Sequence, residues 1–286
     1  MGKTYWKCGV LPGILKSAEV MNFPKYQVED LQKQENKVYR IILGATGTTP
    51  LVALRGEIGA SEMKSRFIKD RLLFTKNMME SKNGLVRKVL DNVMKDKKNS
   101  WKKKTDEYMK IAGISLRDLE KMSKQKIKKK IYELDTRWWR EEMETKTTLE
   151  IYRECKQEIK EEIIYNNGEA SRLLFRARSN TMALNDRFRH DKGENKRHTG
   201  CPICGAEYEN LEHFVLHCPK LDSEREGELI RDMRGEGDKD TLCNLLFRGG
   251  RLGEVGVMIQ KMWRVRKYWV NRKVLEGGGG EGNTTS

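Results

Sequence analysis

Residues 115–138, SLRDLEKMSKQKIKKKIYELDTRW, place apolar side chains at Leu116, Leu119, Met122, Ile127, Ile131, Leu134 and Trp138. Steps of mostly three or four residues gather these on one side of a helix and leave the remainder to solvent. Ser115 and Asp118 stand at capping-box spacing, in which each side chain satisfies a backbone N–H that the first helical turn leaves over. One long helix is therefore expected here. Lys124, Lys126, Lys128, Lys129 and Lys130 crowd its middle, either as a solvated face or as a stripe that meets phosphates.

The same period recurs on both sides of this segment. Val28, Leu31, Val38, Ile41 and Ile42 predict a helix ended by Gly44, and a short helix follows from Leu51 to Ile58, ended by Gly59. Phe67, Ile68, Leu72 and Phe74 predict another, with Ser61 as its N-cap, and Leu85 to Met94 one more. Val255, Met258, Met262, Val265 and Trp269 share a face opposed by Gln260, Arg264, Lys267 and Asn271. A helix from Leu149 to Tyr165 is expected to stop at Asn166-Asn167-Gly168. Only five prolines interrupt the chain, so long runs stay helical. The stretch Trp6 to Val20, holding Pro12 and Gly13, reads as an extended lead-in to a turn at Phe23-Pro24. Lys95 to Lys104 carries six lysines and little that packs, which suits a linker or an exposed helix. The fold class is mainly α.

Lys plus Arg number 57 against 42 Asp plus Glu, a net charge of +15. An excess of this size points to a polyanionic partner, nucleic acid ahead of an anionic membrane or an acidic protein. No apolar run approaches the ~20 residues needed to cross a bilayer, and the N-terminus lacks a basic region followed by an apolar one. Trp6 stands where a myristoylation signal needs Ser or Thr. An intracellular protein, nuclear or cytoplasmic and not secreted, is expected.

The six cysteines are not spread evenly. Cys201 and Cys204 form a Cys-x-x-Cys turn, with Gly205 helping the bend; His213 and Cys218 follow. Three thiols and an imidazole at this spacing suit Zn2+, which takes four soft or borderline ligands tetrahedrally. His213 is expected on a short helix beginning near Glu209, beside Leu211, Phe214 and Val215. Pro219 ends it and leaves Cys218 at its frayed end. His217, one turn after His213, is the rival fourth ligand. Such closed sites support folding and not catalysis. Cys8, Cys155 and Cys243 read as separate, small apolar filler, and His190 and His198 as solvent-facing. Upstream, Arg172, Arg176, Arg178, Arg187, Arg189, Lys192, Lys196 and Arg197 surround Leu173, Leu174, Phe175 and Phe188, a mixture that suits phosphate contacts with base stacking. The candidate nucleic-acid contacts are Arg172, Arg176, Arg178, Arg187, Arg189, Lys196 and Arg197.

Leu174 to Asn180, then Cys201 to Gly205, Asn210-Leu211-Glu212-His213 and Cys218-Pro219, resemble the C-terminal part of the reverse transcriptase polyprotein of non-LTR (LINE-type) retrotransposons. Leu11 to Leu15, Ala18-Glu19, Leu31, Tyr39 to Gly44 and Ala53 to Gly59 are similar to the thumb of that family, which grips the template and primer. Lys16-Ser17 replaces the Tyr-Gly usual before the Ala-Glu step. The paired aspartates that hold two magnesium ions for polymerisation have no counterpart, since the chain contains no Asp-Asp; the palm and fingers would lie before Met1. The resemblance implies a thumb-like helical domain at 1–94 and a helical C-terminal domain with a small CCHC zinc knuckle at 169–276; basic linking helices at 95–168 are matched only by their position between them, and the Gly-rich, apolar-free tail at 277–286 is expected to be disordered. It implies a zinc-dependent module for RNA or an RNA–DNA duplex, with no catalysis of its own. A helical protein-interaction remnant with a purely structural zinc is the alternative; an enzyme built on Asp186, Asp191 and Glu194 ranks third.

Overall fold

A computed structural model describes residues 2–188 and 198–277. The chain is mainly α, with no strand among the described residues. It divides into two compact units, each assembled from separated stretches. One comprises the residues up to Ile42, Leu51–Thr145 and Glu158–Glu162; the other comprises Leu43–Pro50, Lys146–Gln157 and the chain from Ile163. Lys95 to Lys104, expected as a linker or an exposed helix, thus lies wholly within the first unit, and only the wider range 95–168 is divided between the two.

The first unit is built around the helix Met63–Met79, which packs on Leu11–Val20, Ser100–Ala112 and Lys124–Glu144. Its buried Phe67, Ile68 and Leu72 meet Ala18, Tyr108, Met109, Leu119, Ile127 and Ile131. Charges are buried here too, each with partners, as desolvation requires. Arg71 donates to the carbonyls of Ala18 and Met21 and to Asn22 Oδ1. Arg66 pairs with Glu35 at 2.6 Å and Arg55 with Asp135 at 3.0 Å.

Several local expectations change. The 115–138 segment is two helices. Leu116–Lys121 carries the Ser115–Asp118 capping box, Met122 is extended, and Ser123 caps Lys124–Glu144. The five-residue step from Met122 to Ile127 is the sign of this break, since one continuous stripe advances by three or four. The fully buried tryptophan is Trp139, which donates to the Val52 carbonyl at 2.8 Å; Trp138 lies under the Lys64 ammonium instead. Trp6–Val10 and Leu11–Val20 are helical and not extended, the π turn running directly into the α-helix with Pro12 just past the junction. Ser61 is not a cap: the next helix starts after Glu62 without a side-chain cap bond. The expected Leu149 to Tyr165 helix shrinks to a 3-10 turn, Thr147–Leu149, and Glu150–Cys155, after which Lys156 is extended.

Cys155 and Cys243, expected as separate filler, form a disulfide with Cα atoms 6.0 Å apart. It ties Glu150–Cys155 to Asp238–Cys243 in the second unit, where Lys239 also reaches Glu150 at 2.8 Å and Glu154 at 2.5 Å. The partners are 88 residues apart, a separation that no local spacing rule detects. Helices Glu169–Arg178 and Leu252–Gly277 form the spine of this unit, with Leu173, Leu174 and Ala177 buried in one cluster with Val255, Met258, Ile259 and Met262. Gln260, Arg264 and Lys267, on the opposite face, all reach Glu169, so that face is partly neutralised. The tail after Gly277 lies outside the described residues. Among the described residues, no helix is long and apolar enough to cross a membrane.

The cross-link sets a thiol count. Denatured, unreduced protein should show four reactive thiols, Cys8, Cys201, Cys204 and Cys218, and reduction should add two. Six thiols at the outset would mean that Cys155 and Cys243 are only neighbours. Cys155→Ser should lower unfolding stability by about 2–4 kcal/mol, the usual value of a disulfide that closes a long loop.

Candidate metal centre

The metal candidates come from two short segments. In the first, the Cys201 N–H donates to the Ala206 carbonyl at 2.8 Å and the Gly205 N–H to the Cys201 carbonyl at 3.0 Å. This closes a tight loop with both thiols on its inside. Gly205 lies at φ +83°, the left-handed region that glycine occupies without steric cost. In the second, Asn210 accepts from the His213 N–H at 2.7 Å and starts the turn. The turn His213–His217 is a π-helix, closed by a bond from the Cys218 N–H to the His213 carbonyl at 2.7 Å. That wide turn, with Pro219 directly after it, leaves Cys218 fully buried as its C-cap. Arg225 fixes the exit by donating to the Val215 and Cys218 carbonyls, both at 2.9 Å.

The four ligand atoms lie within 4.8 Å of one another. Cys201 Sγ and Cys218 Sγ are 3.9 Å apart, and Cys204 Sγ is 3.3 Å from His213 Nε2. Zinc–sulfur bonds of ~2.3 Å and zinc–nitrogen bonds of ~2.05 Å arranged tetrahedrally require edges of ~3.8 Å and ~3.6 Å. These two pairs match to a few tenths of an ångström and the remaining pairs lie within 4.8 Å, so the donor set is compatible with a metal ion such as Zn2+. Burial and the neighbouring Cys201 push the Cys218 thiol up to about 12, and burial raises Cys201 as well. Burial also holds the His213 imidazole below its ordinary value, in the neutral form that ligates metals. Thiols crowded in this way carry a charge only beside a cation, so metal uptake must expel their protons.

His217 is turned elsewhere. It is half-exposed, with Nε2 2.7 Å from Asp238 Oδ2 and 4.0 Å from Glu212 Oε1. The structure brings together Cys201, Cys204, His213 and Cys218 and leaves the rival outside.

The residue that sequence reasoning missed is Glu209, read there only as the start of a helix. Its carboxylate is fully buried and accepts from Arg266 Nε and Nη2, each at 2.6 Å, and from the Asn185 N–H at 2.8 Å. Asn185 in turn donates to the Gly200 carbonyl at 2.9 Å. The segment that carries the thiols is thus bolted to the last helix by a two-pronged buried ion pair. Arg266 lies on that helix between positions read as apolar, and this was the available signal.

The expected basic residues separate by environment. Arg178 is buried and donates to the Leu246 carbonyl, so it belongs to the core and not to a ligand surface. Arg176 is half-buried and donates to the Gly44 carbonyl at 2.9 Å. Arg172 is exposed but packs its stem against Gly44. Arg187 is exposed, with its guanidinium 4.5 Å from the Phe188 ring centre. Phe175 is core. Arg189, His190, Lys192, Lys196 and Arg197 lie outside the described residues, and His198 is exposed with Nδ1 accepting from the Gly200 N–H. No family model, curated protein or solved structure matches the chain.

Two outcomes are expected. Cobalt or zinc titration should give one bound ion with release of three thiol protons at neutral pH; Cys218→Ala and His213→Ala should lose that ion, and His217→Ala should keep it. Arg266→Met, which strands Glu209, should cost about 3–5 kcal/mol in chemical denaturation, and the double change with Glu209→Gln should recover most of it.

Proposed function

We propose that this protein is a nucleic-acid-binding module whose fold is secured by zinc, of the kind found in the C-terminal part of non-LTR retrotransposon reverse transcriptase polyproteins, and that it carries no polymerase chemistry. The observation that supports this most is the Cys-x-x-Cys-Gly segment converging with His213 and Cys218, all four ligand atoms within 4.8 Å of one another, in a chain of net charge +15. Zinc has a folding role in this reading. All four positions of the tetrahedron are protein ligands, which leaves none open for a reacting water. Exposed Arg172 and Arg187 supply phosphate contacts in the same unit. RNA or an RNA–DNA duplex is the partner and the setting is intracellular, where thiol ligands stay reduced.

A second reading, a helical protein-interaction module with a purely structural zinc, rests on the helix Gly84–Lys95. There Leu85 and Val89, one turn apart, are 70% and 47% exposed.

Binding to labelled structured RNA and to duplex DNA, measured across salt with zinc and after chelation, separates the two. The proposal expects affinity to fall about tenfold or more between roughly 50 and 200 mM salt, since cations on the protein release counterions from phosphates, and to collapse on chelation. A zinc-loaded, folded protein that ignores both ligands at low salt would overturn it in favour of the second reading.

A further inference from the structure

Polar groups from four separated chain segments converge on one open cavity of about 650 Å3 within the second unit. Thr46 and Thr48 come from the loop before Pro50, Thr148 from the 3-10 turn Thr147–Leu149, Asn180 from the end of Glu169–Arg178, and Arg187 and Phe188 from the turn Asn185–Phe188. No carboxylate lines it among the described residues. We infer that this groove is the binding place of a single-stranded polynucleotide. Phosphate oxygens would meet the Arg187 guanidinium, the Asn180 carboxamide N–H and the Thr148 hydroxyl, and one base would lie against Phe188. The inference rests on the nucleic-acid reading above and gives it an address.

The chemistry of the lining carries the argument. Hydroxyls, a carboxamide and a guanidinium are the groups that contact phosphate and sugar, and an aromatic face beside an arginine is what unpaired bases stack on. The volume lies in the range of small-ligand sites, enough for one or two nucleotides of a longer strand. The groove is also held in shape before anything binds. Asn180, at φ +48°, ends its helix in the left-handed conformation and turns the chain so that the Thr181 N–H returns to the Arg176 carbonyl at 2.8 Å. Thr181 Oγ1 then accepts from Thr49 Oγ1 at 3.3 Å and lies 2.8 Å from Ser179 Oγ. Arg176 holds the start of the same loop through Gly44. Thr46 and Thr48 therefore stand on a loop pinned at two points.

The adjoining cavity, which shares Thr148, Asn180 and Arg187, is lined by Glu150, Asp186 and Glu212. These carboxylates repel phosphate and confine a strand to the threonine side.

The test uses the full chain with zinc and short fluorescent RNA and DNA single strands of one sequence. Wild type should bind, and Arg187→Glu should weaken binding about tenfold or more and flatten the salt slope by about 0.7. Phe188→Leu, which keeps apolar bulk but removes the ring face, should weaken it about fivefold or more. Melting temperature and zinc content of both variants should stay at the wild-type value. The pair Lys126→Glu and Lys128→Glu, in the other unit, should leave affinity within about twofold. Equal affinity for the RNA and DNA strands would assign recognition to phosphate and base; a preference for RNA would add the 2′-hydroxyl, and either supports the groove. If wild type binds while Arg187→Glu and Phe188→Leu bind as well, the groove is wrong and the nucleic-acid reading stands. If wild type binds no strand and no structured RNA, that reading fails and takes this inference with it.

Discussion

The second unit depends on one buried carboxylate. Glu209 sits between the thiol-bearing loop and the turn that carries His213, and it is fully enclosed. An uncompensated carboxylate in that position would cost several kcal/mol. It is compensated by the two-pronged contact to Arg266, and by Asn185, whose amide also holds the Gly200 carbonyl. One ion pair therefore fixes the position of the Cys-x-x-Cys loop on the Leu252–Gly277 helix and that of the turn leading to Arg187 and Phe188. The metal ligands then need only converge locally, because the frame around them is already set. Phe214 packing edge-on against Trp263, with ring centres 6.1 Å apart, adds an apolar contact beside the same pair.

This use of arginine as an internal fastener changes how the net charge is read. Arg55, Arg66, Arg71, Arg178 and Arg266 are all buried. Each donates to carbonyls or carboxylates through a planar fork that suits several acceptors at once. Their charge is formally part of the +15 but is not displayed to a ligand. What remains outside is mostly lysine, and many of those lysines lie beside acidic neighbours, as Lys124 does beside Glu80 and Lys102 beside Asp106. Exposed pairs of this kind are weak and screened by salt, so they yield readily to a polyanion. The exposed lysines are thus held only loosely by their neighbours, whereas the buried arginines are committed to the fold.

Periodicity made most of the helices legible, and ligand spacing made the metal cluster legible, because both are written within a few turns of chain. The stripe of Val255, Met258 and Met262 is buried as its spacing demands, and Gly44 ends its helix at φ +61°. Errors arose where a local pattern had two readings. A stripe from Leu116 to Trp138 fits one helix until the five-residue step from Met122 to Ile127 is weighed, and Pro12 with Gly13 suits an extended lead-in as well as the helical run that forms. Arg178 matched a basic-aromatic pattern, but tertiary contacts with Leu246 took it into the core. Long-range partners are not written in local spacing: Arg266 stands out as a charge between apolar positions, but its pairing with Glu209, like that of Cys155 with Cys243, appears only in the folded chain.

Two kinds of sulfur chemistry now share one unit, and they respond to redox conditions in opposite directions. The thiols of Cys201, Cys204 and Cys218 must be reduced to take a metal, and a bound metal then shields them by neutralising their charge and closing their coordination. Cys155 and Cys243 are cross-linked only under oxidising conditions. The two sites also differ in what holds the chain if they fail. Loss of the metal leaves crowded buried thiols that burial keeps neutral, so the loop loses its fourfold anchor while Glu209 and Arg266 remain. Loss of the disulfide leaves Glu150–Cys155 and Asp238–Cys243 joined by Lys239 with Glu150 and Glu154, and by Tyr152 packed edge-on against Phe247. Those contacts do not depend on oxidation. A reducing compartment therefore preserves the thiols of the metal site and removes the cross-link with its share of the stability, while these contacts still join the two helices.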